Sequence, residues 1–415
     1  MRLDAMTDEA ADILRGAEAR ANPSQIAEVE TRDREPLSFP ESAWRGVFAD
    51  YRLAMMDTTE ASDVFHFVAL WAASAISLGR RTYMFTGERT FPNFYGVLFG
   101  TTGDKKTTAQ RQIINTGILP PSTQIIRNLG STEGLADMLG RADEGDAVSL
   151  MFWEEITSLF ARGRWNGSTI LQFITECFDC PPEWGIAYRK EPIRIVAPTP
   201  SILAGTTPEW FWKNARADDF YGGFGNRFAY FTGQKKTPNP SPREPDSTAL
   251  GRVRESLARA NMIQQTQAHF SPLAAKLWDK FYIDWEGKDR LGLYGAATKR
   301  IHVYVRKLGM TYAALEGTLP EITMDQLKAS ISVGLYSAEC ARILVEAQSA
   351  AIRPEGQIEQ RILDWITKNE GARKRYMQQT LSKVAGSCEA FTRSVQALEK
   401  GGMIKILEGR VYLAR

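Results

Sequence analysis

The densest cluster of chemically useful residues lies between positions 95 and 108, where the chain reads YGVLFGTTGDKKTT. The apolar run from Phe94 to Phe99 ends at Gly100; Gly103, Lys105, Lys106, Thr107 and Thr108 follow. A buried strand that opens into a glycine-bearing turn and then a helix aims backbone N–H groups and a helix N-terminus at an anion. In the pattern G-x-x-x-x-G-K-[ST] the phosphate lysine stands six residues after the first glycine, which selects Lys106 over Lys105 and gives Thr107 the Mg²⁺ hydroxyl. Gly100, Gly103 and Thr108 complete the expected cradle. Lys105 stands where the pattern has its second glycine, and a positive φ there costs a non-glycine residue roughly 1–2 kcal/mol. On these residues alone, a strand-to-helix turn with two solvated lysines is an equal reading.

Three later segments add to the first. The apolar stretch AVSLMFWEEI ends in Glu154 and Glu155. If its strand shares a sheet with the loop, Glu154 is the metal-side acid and Glu155 the base or water-positioning group; otherwise both are solvated acids at a strand end. The stretch PSILAGTTPEW ends in Thr206 and Thr207. Either can bond a water or phosphate there, although Thr207 before Pro208 is also an ordinary helix cap. In GGFGNRFAYF, glycines and Asn226 frame a turn that presents Arg227; a surface ion pair is the plainer alternative.

The elements that must carry these residues alternate. Strands are expected at 94–99, 124–127, 147–153 and 201–205, with a helix from Lys106 to about Gly117 and others between the strands, which argues for a parallel α/β sheet. Helical spacing marks 41–81. PNPSPREP at 238–245 is expected as a domain boundary, followed by a helical segment to about 353. The resulting division is an acidic arm at 1–40, a helical segment at 41–88, a core at 89–237, a helical segment at 238–353 and a final domain at 354–415. Over 415 residues the formal net charge is only +2, so affinity for nucleic acid must come from local patches. Residues 1–40 hold 5 basic and 9 acidic side chains, and residues 355–415 hold 11 basic and 7 acidic. Four cysteines and three histidines exclude a disulfide framework and complete no zinc site around the Cys177-x-x-Cys180 pair. No apolar run approaches a membrane span and the N-terminus lacks a signal-peptide layout, so a cytoplasmic protein is expected.

With these residues in order, the chain resembles the superfamily 3 or virus-type primase-helicase ATPases of phages, plasmids and integrative elements, within the AAA+ group. The matching pieces are residues 100–108, GSTEGLADML at 130–139, FWEEITSLF at 152–160, PSILAGTTPEW at 200–210, GGFGNRF at 222–228 and RKLGMTYAAL at 306–315. The resemblance implies a P-loop NTPase core and a ring, usually a hexamer, with ATP and Mg²⁺ between subunits. Lys106, Thr107, Glu154 and Glu155 would act in cis, with Thr207 near the reacting water. Arg227 would act from the neighbour, and Arg306, expected to open a helix, would contact phosphate. Lys105 for Gly and Glu154 for Asp depart from the group's pattern. The first forty residues leave no room for a primase domain, so a separate primase or replication partner is implied.

Two regions are expected to meet DNA. WGIAYRKEPIRIVAPT reads as a hairpin with Arg189 and Lys190 at its tip, placed to hold single-stranded DNA. The last sixty residues read as a winged helix: a helix near 357–368, a basic connector Arg373-Lys374-Arg375, helices around 377–385 and 387–400, and a terminal hairpin. Arg393 lies on or near the face offered to origin duplex DNA; a protein contact is the other use of such a domain. The reading these residues favour is an ATP-driven DNA helicase or replication-initiator motor of a mobile element. Its rivals are a nucleotide-binding scaffold or helicase-recruiting initiator with little turnover, and a sequence-specific duplex binder.

Overall fold

The computed structural model describes residues 38–127, 134–135, 138–139, 147–163, 168–186, 193–352, 361–363, 365–367, 369–381, 388–400, 403–407 and 409–413. The chain divides into two compact units, Met1–Arg342 and Ile343–Arg415.

In the first unit the strands are β1 (Thr82–Phe85), β2 (Arg89–Thr90), β3 (Tyr95–Phe99), β4 (Gln124–Ile126), β5 (Val148–Trp153), β6 (Glu183–Ile186), β7 (Ile193–Val196), β8 (Thr199–Thr206) and β9 (Ala229–Phe231). Five form an all-parallel sheet in the order β4-β5-β8-β3-β9. Every residue of β3 and β8 is buried, as befits central parallel strands covered on both faces. The helix Asp63–Leu78 is buried from Val64 onward, because its sequence is apolar or small on every side; its Trp71 stacks on Phe94 with ring centroids 4.1 Å apart. The expected α/β class and all four expected core strands are therefore present, with ends shifted by one or two residues.

The connections set where a ligand can enter. From β3 the chain crosses to β4 at one edge of the sheet, whereas from β8 it crosses to β9 at the other. Where neighbouring parallel strands send their connections in opposite directions, a crevice opens beyond their carboxyl ends. Phe99 pairs with Thr206, so β3 and β8 end level with one another at that crevice.

The proline-rich stretch at 238–245 does not separate two units. It runs back along the N-terminal helices: Lys236 N–H donates to Glu60 O at 3.0 Å, Arg243 N–H to Asp57 O at 3.0 Å and Asp246 N–H to Ala54 O at 3.1 Å. Proline fixes the local backbone there, and within the stretch Asn239 N–H donates to Glu60 Oε1, Ser241 N–H to Asn239 Oδ1 and Arg243 N–H to Asp57 O. The following helices Pro272–Glu286 and Ile301–Glu316 share the core of this unit, with Trp278, Phe281, Val305 and Met310 in one buried cluster.

In the second unit, 361–363 and 365–367 are helical, followed by helices Lys374–Leu381 and Cys388–Lys400 and an antiparallel pair Ile404–Leu407 with Arg410–Leu413. Ile362, Ile366, Met377, Phe391, Val395, Ile404 and Val411 make its core. The basic triplet is not a connector. Arg373 bridges Arg410 of the last strand, and Lys374 and Arg375 form the first turn of a helix whose apolar member Met377 is buried.

Candidate functional site

Strand β3 delivers Gly100 to the carboxyl edge, and the helix Lys106–Asn115 begins six residues later. Lys105 sits just before that helix with φ 58° and ψ 24°, so the position is left-handed and a lysine there is strained. Gly103, at φ 99° with open space around it, makes the preceding turn. Among the described residues no side chain caps the helix, which leaves its first N–H groups open. Lys106 folds back across this loop, its Nζ donating to Gly100 O at 2.8 Å and to Thr101 O at 2.9 Å. Burial lowers the pKa of the ammonium, while Asp104, Glu155 and Glu209 act in the opposite sense. Thr107 and Thr108 occupy the helix's first turn.

The two acids follow β5 at the same edge but have different surroundings. Glu154 is held by Arg111 of the loop helix, with its Oε1 2.8 Å from Nε and 2.6 Å from Nη2. Glu155 Oε1 accepts from Thr157 N–H at 3.2 Å, at the start of the helix Thr157–Gly163, and its charge bears on Lys106. Gly205 locks the strand ends together: Ile156 N–H donates to Gly205 O at 2.9 Å, and a Cβ on Gly205 would stand 2.9 Å from Glu154 O. The buried amide of Gln110, which has no hydrogen-bond partner among the described residues, lies against the same glycine. Thr206 is buried at the end of β8 and donates to Thr207 O at 3.2 Å. Thr207 accepts from Trp210 N–H at 3.2 Å, so it caps the helix Pro208–Asn214.

Arg227 lies elsewhere. It ends a short turn two residues before β9, whose first residue Ala229 pairs with Gly96 near the start of β3. Its Nη1 donates to Gly223 O at 2.7 Å and its Nη2 to Asp179 Oδ2 at 3.4 Å; Arg300 holds the other oxygen of Asp179 at 3.1 Å. Burial lowers the pKa of Arg227, and Arg300 adds to that, with Asp179 opposing. Tyr304 bonds through its hydroxyl to Tyr95 O and to Arg227 O, fixing the turn against the amino end of β3. With five residues at about 3.3 Å each, β3 separates this edge from the loop by about 17 Å. Arg306, expected to open a helix, is the sixth residue of Ile301–Glu316 and belongs to this amino edge as well: the next residue, Lys307, bonds Asn93 just ahead of β3.

The structure thus brings Gly100, Gly103, Lys106, Thr107, Thr108, Glu154, Glu155 and Thr206 together and sets Arg227 and Arg306 apart. β6 and β7 pair antiparallel as the expected hairpin, while Arg189 and Lys190 lie outside the described residues, as does most of 130–139. Arg373, Arg375 and Arg393 are exposed. Sequence reasoning missed Arg111, Asp179 and Arg300. Arg111 follows Lys106 by five residues, within reach of an acid beyond the next strand but one. Asp179 was hidden inside the Cys177–Cys180 pair. Both of those cysteines are buried; burial pushes the Cys180 thiol up to about 11 and Cys177 higher still, and no group of three or more metal-ligating side chains exists among the described residues. Nor is any described helix long and apolar enough to cross a membrane.

No protein-family model matches the chain, and no curated protein matches it.

Proposed function

We propose that the first unit is a nucleoside triphosphatase of the AAA+ type that works as a ring, hexameric by resemblance, and moves on single-stranded DNA in the cytoplasm during replication of a mobile element. One observation carries this reading: the loop and its acids stand at the carboxyl edge of the sheet, and the turn-borne Arg227 stands at the amino edge. A cradle whose own arginine, Arg111, is committed to Glu154, and an arginine held away from any cradle, are complementary halves when copies stack edge to edge. The open N–H groups before and within Lys106–Asn115 suit the β- and γ-phosphates of ATP, with Lys106 released from the loop carbonyls to reach them. Thr107 would hold Mg²⁺, and Glu155 would orient the attacking water. When bound, the metal neutralises charge on the phosphates.

The second unit supports the DNA-directed part of the reading. Its helices and terminal antiparallel pair around one core are compatible with a winged helix, and Arg373, Arg375 and Arg393 are exposed, as phosphate or duplex contacts would need.

A second reading, a nucleotide-ordered scaffold with little turnover, is favoured by the Arg111–Glu154 ion pair, which neutralises the acid expected at the metal. The deciding experiment is ATP turnover by the purified chain with and without single-stranded DNA. Stimulation by DNA supports the motor; tight nucleotide binding with negligible turnover under both conditions supports the scaffold.

A further inference from the structure

Arg306 is largely enclosed, yet it has no carboxylate partner among the described residues. Its guanidinium lies over the Trp278 ring at 4.4 Å and 5.6 Å from the Tyr282 centroid. All three line a cavity of about 710 Å³, within the size range of small-molecule sites. Three further cations line it. Arg89, on the exposed β1–β2 hairpin, stacks over Tyr83 at 4.7 Å; Arg300 is shared with Asp179; Lys307 is buried against Phe178 at 4.3 Å and bonds Asn93. The acids in the lining are Asp179 and Glu88, and Glu286 stands 3.1 Å from His302 Nδ1 at the same cavity. Enclosing a guanidinium without a counter-charge is costly, and an entering anion relieves that cost. Phe85 and Tyr282 also line the cavity with exposed rings, which are stacking surfaces for a flat heterocycle.

From this combination we infer a second binding site, for one nucleotide unit, its phosphate on Arg306 and Arg89 and its base against Tyr282 or Phe85. The unit is a free nucleotide or one residue of a single strand; both present the same base and phosphate. This site is independent of what the Gly100–Thr108 loop binds.

The test uses the full chain carrying Lys106→Ala, so that the loop is silent, titrated with thymidine 5′-monophosphate, a ten-residue oligothymidylate and inorganic phosphate by equilibrium dialysis and tryptophan fluorescence. Binding of the monophosphate supports the site with a free nucleotide as its source; binding of the oligonucleotide alone supports it with a strand as the source. In either case Arg306→Gln should weaken binding at least tenfold and Arg89→Gln several-fold, and Tyr282→Ala should weaken the base-bearing ligand without changing phosphate. Should Arg306→Gln fail to fold, the exposed Arg89→Gln and Tyr282→Ala variants carry the test. Absence of binding by both nucleotide ligands, binding unchanged by the substitutions, or inorganic phosphate binding as tightly as the monophosphate would overturn the proposal.

Discussion

The two ends of the parallel sheet are built on opposite principles. At the carboxyl edge, among the described residues, the helix that begins beside a strained Lys105 has no side-chain cap and Lys106 bonds only its own loop's carbonyls, while the charges of Asp104, Glu155 and Glu209 bear on it. At the amino edge the turn that carries Arg227 is fastened. Arg227 and Arg300 share Asp179, and Tyr304 ties the turn to β3. Under the proposed function the first edge receives an anion, and the second holds an arginine still until something is brought to it. Because one protomer cannot fold its amino edge onto its own carboxyl edge across β3, the proposed function puts catalysis at a contact between protomers.

The strongest way to break that picture is at Lys106. Lys106→Ala should abolish ATP turnover, whereas Lys105→Ala should leave much of it, as steady-state phosphate release would reveal; equal loss from both substitutions would contradict the assignment of the phosphate lysine. Next in size is Arg227→Ala. A finger acting fully is worth on the order of 10³ in turnover, so this variant should lose about that factor while nucleotide affinity per protomer, measured by calorimetry, stays near that of the parent. Loss of affinity instead would place Arg227 in the fold rather than in the reaction. The smallest effect is expected from Lys105→Gly. Relieving a left-handed lysine should stabilise the native state by roughly 1–2 kcal/mol, less the extra chain entropy glycine brings to the unfolded state, and nucleotide binding should hold or improve. A collapse of binding would show that the Lys105 side chain itself contacts the ligand.

These two edges were unequally readable in the amino-acid order. The carboxyl edge could be assembled in advance because its parts are local: an apolar run ending in Gly100, a second ending in Glu154 and Glu155, and a third ending in Thr206 each announce a buried strand and the polar or glycine residue at its tip. The spacing could not show Arg111 turning onto Glu154, since that pair joins a helix to a strand end 43 residues away. The amino edge rests on such long-range pairs. Asp179 binds Arg227 from 48 residues away and Arg300 from 121, so Arg227 could be found by its glycine frame but not its setting. Arg306 shows the same limit. Helical periodicity placed it on a helix but could not say that the helix lies at the amino edge or that the guanidinium rests on Trp278. The proline-rich stretch misled in a physical way, because proline fixes local backbone and says nothing about whether the neighbouring N–H groups find carbonyls elsewhere in the same core.

The central claim, that one active site is made from the carboxyl edge of one protomer and the amino edge of the next, is tested most directly by mixing two inactive variants. Glu155→Gln should bind ATP without hydrolysing it, and Arg227→Ala should bind without a finger. A mixed assembly contains interfaces with Glu155 from one subunit and Arg227 from its neighbour. The prediction is that phosphate release reappears on mixing and peaks at intermediate ratios. Mixed assemblies that form, as light scattering or native mass measurement would establish, yet stay inactive at every ratio would contradict it.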